Sequence, residues 1–81
     1  MKTMEEIINE CTVIYRNVLK NENIHLTATT NANDIDEWDS LNHTILLSEV
    51  QKHFGVKFKL KEIIKFKNVG DMCNLILEKL K

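Results

Sequence analysis

Along the first segment, Met4, Ile7, Ile8, Cys11, Ile14, Tyr15, Val18 and Leu19 recur at steps of three and four. That spacing places them on one face of a helix, predicted from about Thr3 to Lys20. Thr3 and Glu6 have the spacing of a capping box, in which hydroxyl and carboxylate satisfy free amides at the helix start. From Asn21 to about Asp39 the periodicity stops, and Ile24, Leu26, Ile35 and Trp38 are its only large apolar residues. This reads as a long loop, ordered by those spaced anchors.

A second helix is predicted to begin at Asp39 or Ser40 and to run to Phe54, before Gly55. At about 100° per residue, His43, Leu46, Leu47, Val50 and Phe54 share the core side. Leu41, Ile45, Ser48 and Lys52 fall on the opposite side. The outward pair Leu41 and Ile45 is either incidental exposure, which is common, or a docking surface. Val56 to Lys61 then alternates apolar with lysine. No second strand candidate accompanies it, so the segment is expected to be an extended connector with Val56, Phe58 and Leu60 turned inward. A short helical turn is expected between Lys61 and Phe66, carrying Ile63 and Ile64. The last helix opens near Asn68 and aligns Val69, Met72, Cys73, Ile76 and Leu80, with Asp71 in its first turn. The sequence therefore predicts an all-α fold of three main helices and one short one, with the long loop between helices one and two.

Composition narrows what such a chain can do. Its 81 residues suffice for one domain, spanning residues 1–81, and a chain this short buries only about 60% of its unfolded surface. A deep catalytic cleft is not expected. Twelve acids against eleven lysines and arginines argue against general affinity for nucleic acid or an anionic membrane. The charge is unevenly spread: residues 1–40 hold eight acids and three bases, residues 41–81 four acids and eight bases, a net −5 against +4. The acids concentrate at Asp34, Asp36, Glu37 and Asp39, where negative charge favours a helix start. The lysines at 57, 59, 61, 65 and 67 are read as solvated outer positions. Absent prolines and only two glycines disfavour a turn-rich β fold. Cys11 and Cys73 sit in apolar stripes and are read as core residues. No long apolar run opens the chain, so a soluble, intracellular protein is expected.

Chemistry-bearing motifs are few. His25, His43 and His53 lack metal-ligand spacing, and neither a phosphate-binding glycine loop nor a nucleophilic triad is apparent. No catalytic residue is assigned. Ser40 remains, at the junction between the acidic loop and the second helix, where its side chain is exposed. A phosphodiester there would meet the partial positive charge of a helix start. Ser40 could equally be an ordinary helix-start residue.

At Asp39-Ser40-Leu41 the sequence resembles the acyl carrier protein family. Asp34-Ile35-Asp36-Glu37-Trp38 before it, Leu46 to Val56 after it, and Phe66 to Asp71 at the start of the last helix extend the resemblance over nearly the whole chain. It implies a four-helix bundle and 4′-phosphopantetheine esterified to Ser40, transferred from coenzyme A by a Mg²⁺-dependent phosphopantetheinyl transferase. The arm's thiol would carry an acyl group as a thioester to acyl-loading and acyl-transferring enzymes. It implies a cytoplasmic monomer that performs no catalysis itself. Asp39, Leu41 and His43 would flank the arm, and Leu41, Ile45 and Glu49 would meet partner enzymes. His43 either lies at the mouth of an acyl pocket or only caps the bundle's edge through a backbone hydrogen bond. The second helix, with Glu49 as its one acid, and the lysine-rich third element depart from many fatty-acid carriers. That departure points towards a specialised pathway loading hydroxy-acyl, amino-acyl or short acyl groups. A peptidyl or aminoacyl carrier and an unmodified helical interaction module are the alternatives.

Overall fold

The computed structural model describes residues 2–80. Within them the chain forms α1 (Met4–Leu19), a single 3-10 turn (Ala32–Asp34), α2 (Ser40–Phe54), α3 (Leu60–Ile63) and α4 (Val69–Leu80), with no strand. The capping box specifies the start of α1: Glu6 N–H donates to Thr3 Oγ1 at 3.2 Å and Thr3 N–H to Glu6 Oε1 at 3.1 Å. Lys20 ends it in the left-handed region at φ 54°, and Gly55 ends α2 at φ 67°. The second of these positions suits glycine, whereas the first strains a side chain.

α1 packs against both α2 and α4. Ile7, Cys11 and Tyr15 from α1, Leu46 and Val50 from α2, and Val69, Cys73 and Ile76 from α4 form its nearly inaccessible centre. Each large aliphatic side chain there contributes about 1.5–3 kcal/mol by leaving water. Cys11 and Cys73 are free, buried thiols within this centre. Contact with Cys73 and burial hold Cys11 protonated far above the usual thiol range. At one end of the bundle, Glu10 accepts from His53 Nε2 at 2.7 Å and from Lys2 Nζ at 2.8 Å, linking α1 to the last turn of α2.

The long loop is ordered by its anchors and by polar bonds. Ile24 and Leu26 are buried, and Arg16 Nε donates to the Ile24 carbonyl at 2.8 Å. Thr30 is buried too, its Oγ1 accepting from Thr27 N–H at 2.8 Å. Val69 and Gly70 N–H donate to the Thr30 and Ala28 carbonyls, each at 2.8 Å, so the loop satisfies two free amides at the start of α4.

After Gly55, Val56 is buried and Phe58 half-buried, and Phe58 N–H finds its acceptor in the Gln51 side chain at 2.9 Å. The lone extended segment therefore bonds to α2 rather than to a sheet. Leu60 departs from expectation: it is 75% exposed rather than turned inward. α3 begins at Leu60, one residue before the predicted turn, and the change from a two-residue to a 3.6-residue period rotates the next inward position to Ile63. Ile64 is 74% exposed, and Leu80, at the end of the α4 stripe, is 38% exposed. Among the described residues no helix is long and apolar enough to cross a membrane.

Candidate functional site

Asp39 caps α2. Its backbone is extended, and its Oδ1 accepts from Asn42 N–H at 2.8 Å. Ser40 is thus the first residue of the helix, and its hydroxyl takes no part in the cap. The amides of Ser40 and Leu41 have no partner among the described residues. Asn42 Nδ2 donates back to the Glu37 carbonyl at 2.8 Å, and Asp39 N–H to the same carbonyl at 3.1 Å. These bonds fix the loop against the helix start and leave Ser40 exposed.

Beside Ser40 lies a cleft of about 510 Å³. Trp38, Asp39, Ser40 and His43 line it together with Phe66, Lys67 and Asn68, and Tyr15 and Met72 are among its apolar lining. Both of the latter are almost fully buried. Trp38 packs edge-on against Tyr15 with ring centroids 5.0 Å apart. Its indole N–H donates to His43 Nδ1 at 2.9 Å. Of the two placements expected of His43, the ring therefore lines the cleft beside Ser40, and it is held by another side chain rather than by a backbone hydrogen bond.

An indole N–H can only donate, so His43 Nδ1 must be unprotonated and the neutral ring carries its proton on Nε2. Burial also lowers the His43 pKa from its ordinary value. A lowered histidine pKa means that the fold favours the neutral ring. Its contribution is complete above the ordinary value of 6.5 and is lost as pH falls through that value towards the lowered one. We expect the emission of Trp38, the chain's one tryptophan, to change over this interval, and the thermal midpoint to fall. His43→Gln should abolish the change in emission. An emission spectrum that stays constant as pH falls from about 8 to the onset of acid unfolding would exclude the bond as a titrating contact.

The family model described as "Phosphopantetheine attachment site" matches residues 13–76. The solution NMR structure of a holo acyl carrier protein from Geobacter metallireducens is 44% identical and superposes with a TM-score of 0.86, over 91% of this chain and 85% of that one. The chain belongs to the acyl carrier protein family. No curated protein sequence matches it.

As an acyl carrier protein it is a carrier whose prosthetic group is covalently attached phosphopantetheine. The residues at the cleft fit that group. An exposed hydroxyl stands at the first position of a 15-residue helix, two amides at the same helix end have no partner among the described residues, and Lys67 also lines the cleft. A phosphodiester there is favoured by the helix dipole and by the lysine charge.

Of the residues singled out in the sequence, Asp39, Ser40 and His43 line this one cleft, whereas Leu41 stands outside it, 72% exposed. Ile45 is 42% exposed one turn further along. Glu49 continues the outer side of α2, 3.8 Å from Lys52 Nζ, and borders a separate groove with Glu10 and Val13. Sequence reasoning took Trp38 only as an apolar anchor and missed its bond to His43. The local signal was an indole donor preceding a core-side histidine across a helix start. Tyr15, Phe66 and Met72 come from three distant segments and left no such signal.

Proposed function

We propose that this chain is a monomeric, single-domain cytoplasmic carrier with Ser40 as its attachment residue, serving a specialised pathway rather than housekeeping fatty-acid synthesis. The observation that carries the Ser40 assignment is the cap: Asp39 binds the free amide of Asn42, so the Ser40 hydroxyl remains available beside the cleft. Within a complex with a Mg²⁺-dependent transferase, Ser40 Oγ gives up its proton and bonds to the pantetheine-bearing phosphorus of coenzyme A, as the P–O bond to the bridging pyrophosphate oxygen breaks and adenosine 3′,5′-bisphosphate leaves. The attached group then supplies a thiol on which an acyl chain is carried as a thioester. Asp39 holds the helix start rigid, Lys67 and the helix dipole balance the phosphodiester charge, and tethering raises the local concentration of cargo for acyl-loading and acyl-transferring enzymes. The test is mass measurement after incubation with coenzyme A, Mg²⁺ and a permissive phosphopantetheinyl transferase.

The specialised role is supported by the charge on the outer surfaces. Leu41 and Ile45 present an apolar pair beside Ser40, Glu49 is the one acid of α2, and Lys57, Lys59, Lys61, Lys65 and Lys67 are exposed around α3. An enzyme adapted to this surface reads apolar contact more than an acidic helix. Leu41→Ala and Ile45→Ala should each slow modification or acyl loading several-fold while leaving the thermal midpoint nearly unchanged, because neither side chain is in the core. Charge reversal at Glu49 should matter less. Unaltered rates for both alanine variants would remove this face from docking.

A further inference from the structure

We infer that His43 is a positioning residue whose Nε2–H donates to a neutral oxygen of the tethered group: an amide carbonyl of the arm or an oxygen on a short acyl chain. The inference rests on Ser40 as the attachment residue and adds to it the chemistry of what the cleft receives.

Three observations converge on His43. It lines the same cleft as Ser40, one helical turn further along α2. Its Nδ1 is occupied by the Trp38 indole at 2.9 Å, which leaves the proton on Nε2 and makes that atom a donor. Nε2 itself has no partner among the described residues, where no buried side-chain nitrogen or oxygen lacks one, so it reaches solvent. A half-buried imidazole with one nitrogen fixed and the other open is a donor prepared in advance, and a ligand oxygen meeting it spends little on ordering the ring. Trp38 is in turn held edge-on by Tyr15, so the donor rests on a buried side chain rather than on a mobile one.

The lining of the cleft also bears on the chemistry of its occupant. At about 510 Å³ it is within the range of small-molecule sites, and its lining includes Tyr15 and Met72, themselves 1% and 3% exposed. A short acyl group bearing an oxygen satisfies the apolar ring faces and the open donor together. A purely hydrocarbon chain that displaced water from Nε2 would leave it unpaired, which disfavours that cargo.

The test compares four forms of the full chain: unmodified, carrying the arm with a free thiol, and carrying butyryl or 3-hydroxybutyryl on that thiol, each loaded from the corresponding coenzyme A derivative. Imidazole ¹⁵N and ¹H signals of His43 are recorded above its titration range, and thioester lifetimes are measured for wild type and His43→Ala. We expect Nε2 to be protonated in the unmodified form and its N–H signal to move when the acceptor arrives. Movement only with 3-hydroxybutyryl, together with a lifetime for that thioester roughly fivefold longer in wild type than in His43→Ala and little His43 dependence for butyryl, assigns the acceptor to the cargo. Movement already present with the free thiol, with equal His43 dependence of both thioesters, assigns it to the arm, and movement that appears equally with both acyl groups but not with the free thiol assigns it to the thioester carbonyl. Trp38→Phe should reduce the Nε2–H preference and the lifetime effect together while Ser40 is still modified. Identical His43 signals in all four wild-type forms, with lifetimes independent of His43, would overturn the inference and leave Ser40 attachment standing. A chain that takes up no group at Ser40 overturns both.

Discussion

Ser40→Ala should gain no phosphopantetheine under conditions in which the wild-type chain gains one, and it should remain folded. Loss of modification is complete because the ester needs the hydroxyl and no neighbouring side chain can replace it. Thr44, the nearest hydroxyl along α2, has its Oγ1 turned back to the Ser40 carbonyl at 3.3 Å. Stability is retained because the cap belongs to Asp39, not Ser40. Alanine is tolerated in the first turn of a helix, and the expected change is within about 0.5 kcal/mol. Asp39→Ala is the contrasting variant: it keeps the hydroxyl but loses the cap, with an expected cost of about 1 kcal/mol and a frayed helix start. Intact-mass measurement and thermal denaturation on the same samples separate the two effects. A modified Ser40→Ala chain, or an unmodified wild type with several transferases, would place the attachment elsewhere or nowhere.

The division between what could be read from the sequence and what could not follows the range of the interactions. α1 and α2 were legible to within a residue because their ends are set by local chemistry: the Thr3 and Glu6 capping box, Asp39, and Gly55 in a left-handed conformation. The phase of α2 was legible for the same reason, since helical geometry alone separates buried Leu46, Leu47 and Val50 from exposed Leu41 and Ile45. Leu60 was misread because the lysine alternation carries a two-residue period up to the point where the backbone turns helical, and Glu62 makes that turn by accepting from Lys59 N–H at 2.7 Å. At the site, Ser40 and Asp39 are sequence neighbours and were found together. The cleft was not visible, because it forms only where α1, the loop, α2 and the start of α4 meet. The His43 bond to Trp38 lies between these cases: the residues are near in sequence, yet their contact depends on Tyr15 of α1 fixing the indole.

The second large effect is expected from Gly70→Ala, where two general tendencies oppose each other. Gly70 lies in the first turn of α4, and replacing a helical glycine by alanine ordinarily stabilises by up to about 1 kcal/mol. Here an added Cβ would stand 2.6 Å from the Ala28 carbonyl oxygen and 3.2 Å from both the Ala28 Cβ and Asn68 Oδ1. The closest of these is backbone, and that same carbonyl accepts from Gly70 N–H at 2.8 Å. Relief of the clash therefore means moving the loop away from α4, which weakens this bond and the neighbouring one from Val69 N–H to Thr30. Thr30 and Val69 are buried, so the separation also opens packed surface. Overpacking of this kind costs about 1–3 kcal/mol, more than the helical preference returns. For a domain of this size, each kcal/mol lowers the thermal midpoint by about 4–8 °C. Amide exchange should locate the damage, with Val69 and residue 70 losing protection while the centre of α1 keeps it. Modification at Ser40 should slow only modestly, because Asp39 and Asn42 hold the helix start independently of Ala28. An unchanged or raised midpoint would mean that the loop can retreat without loss, and that glycine at this position is a matter of helix geometry rather than of close approach.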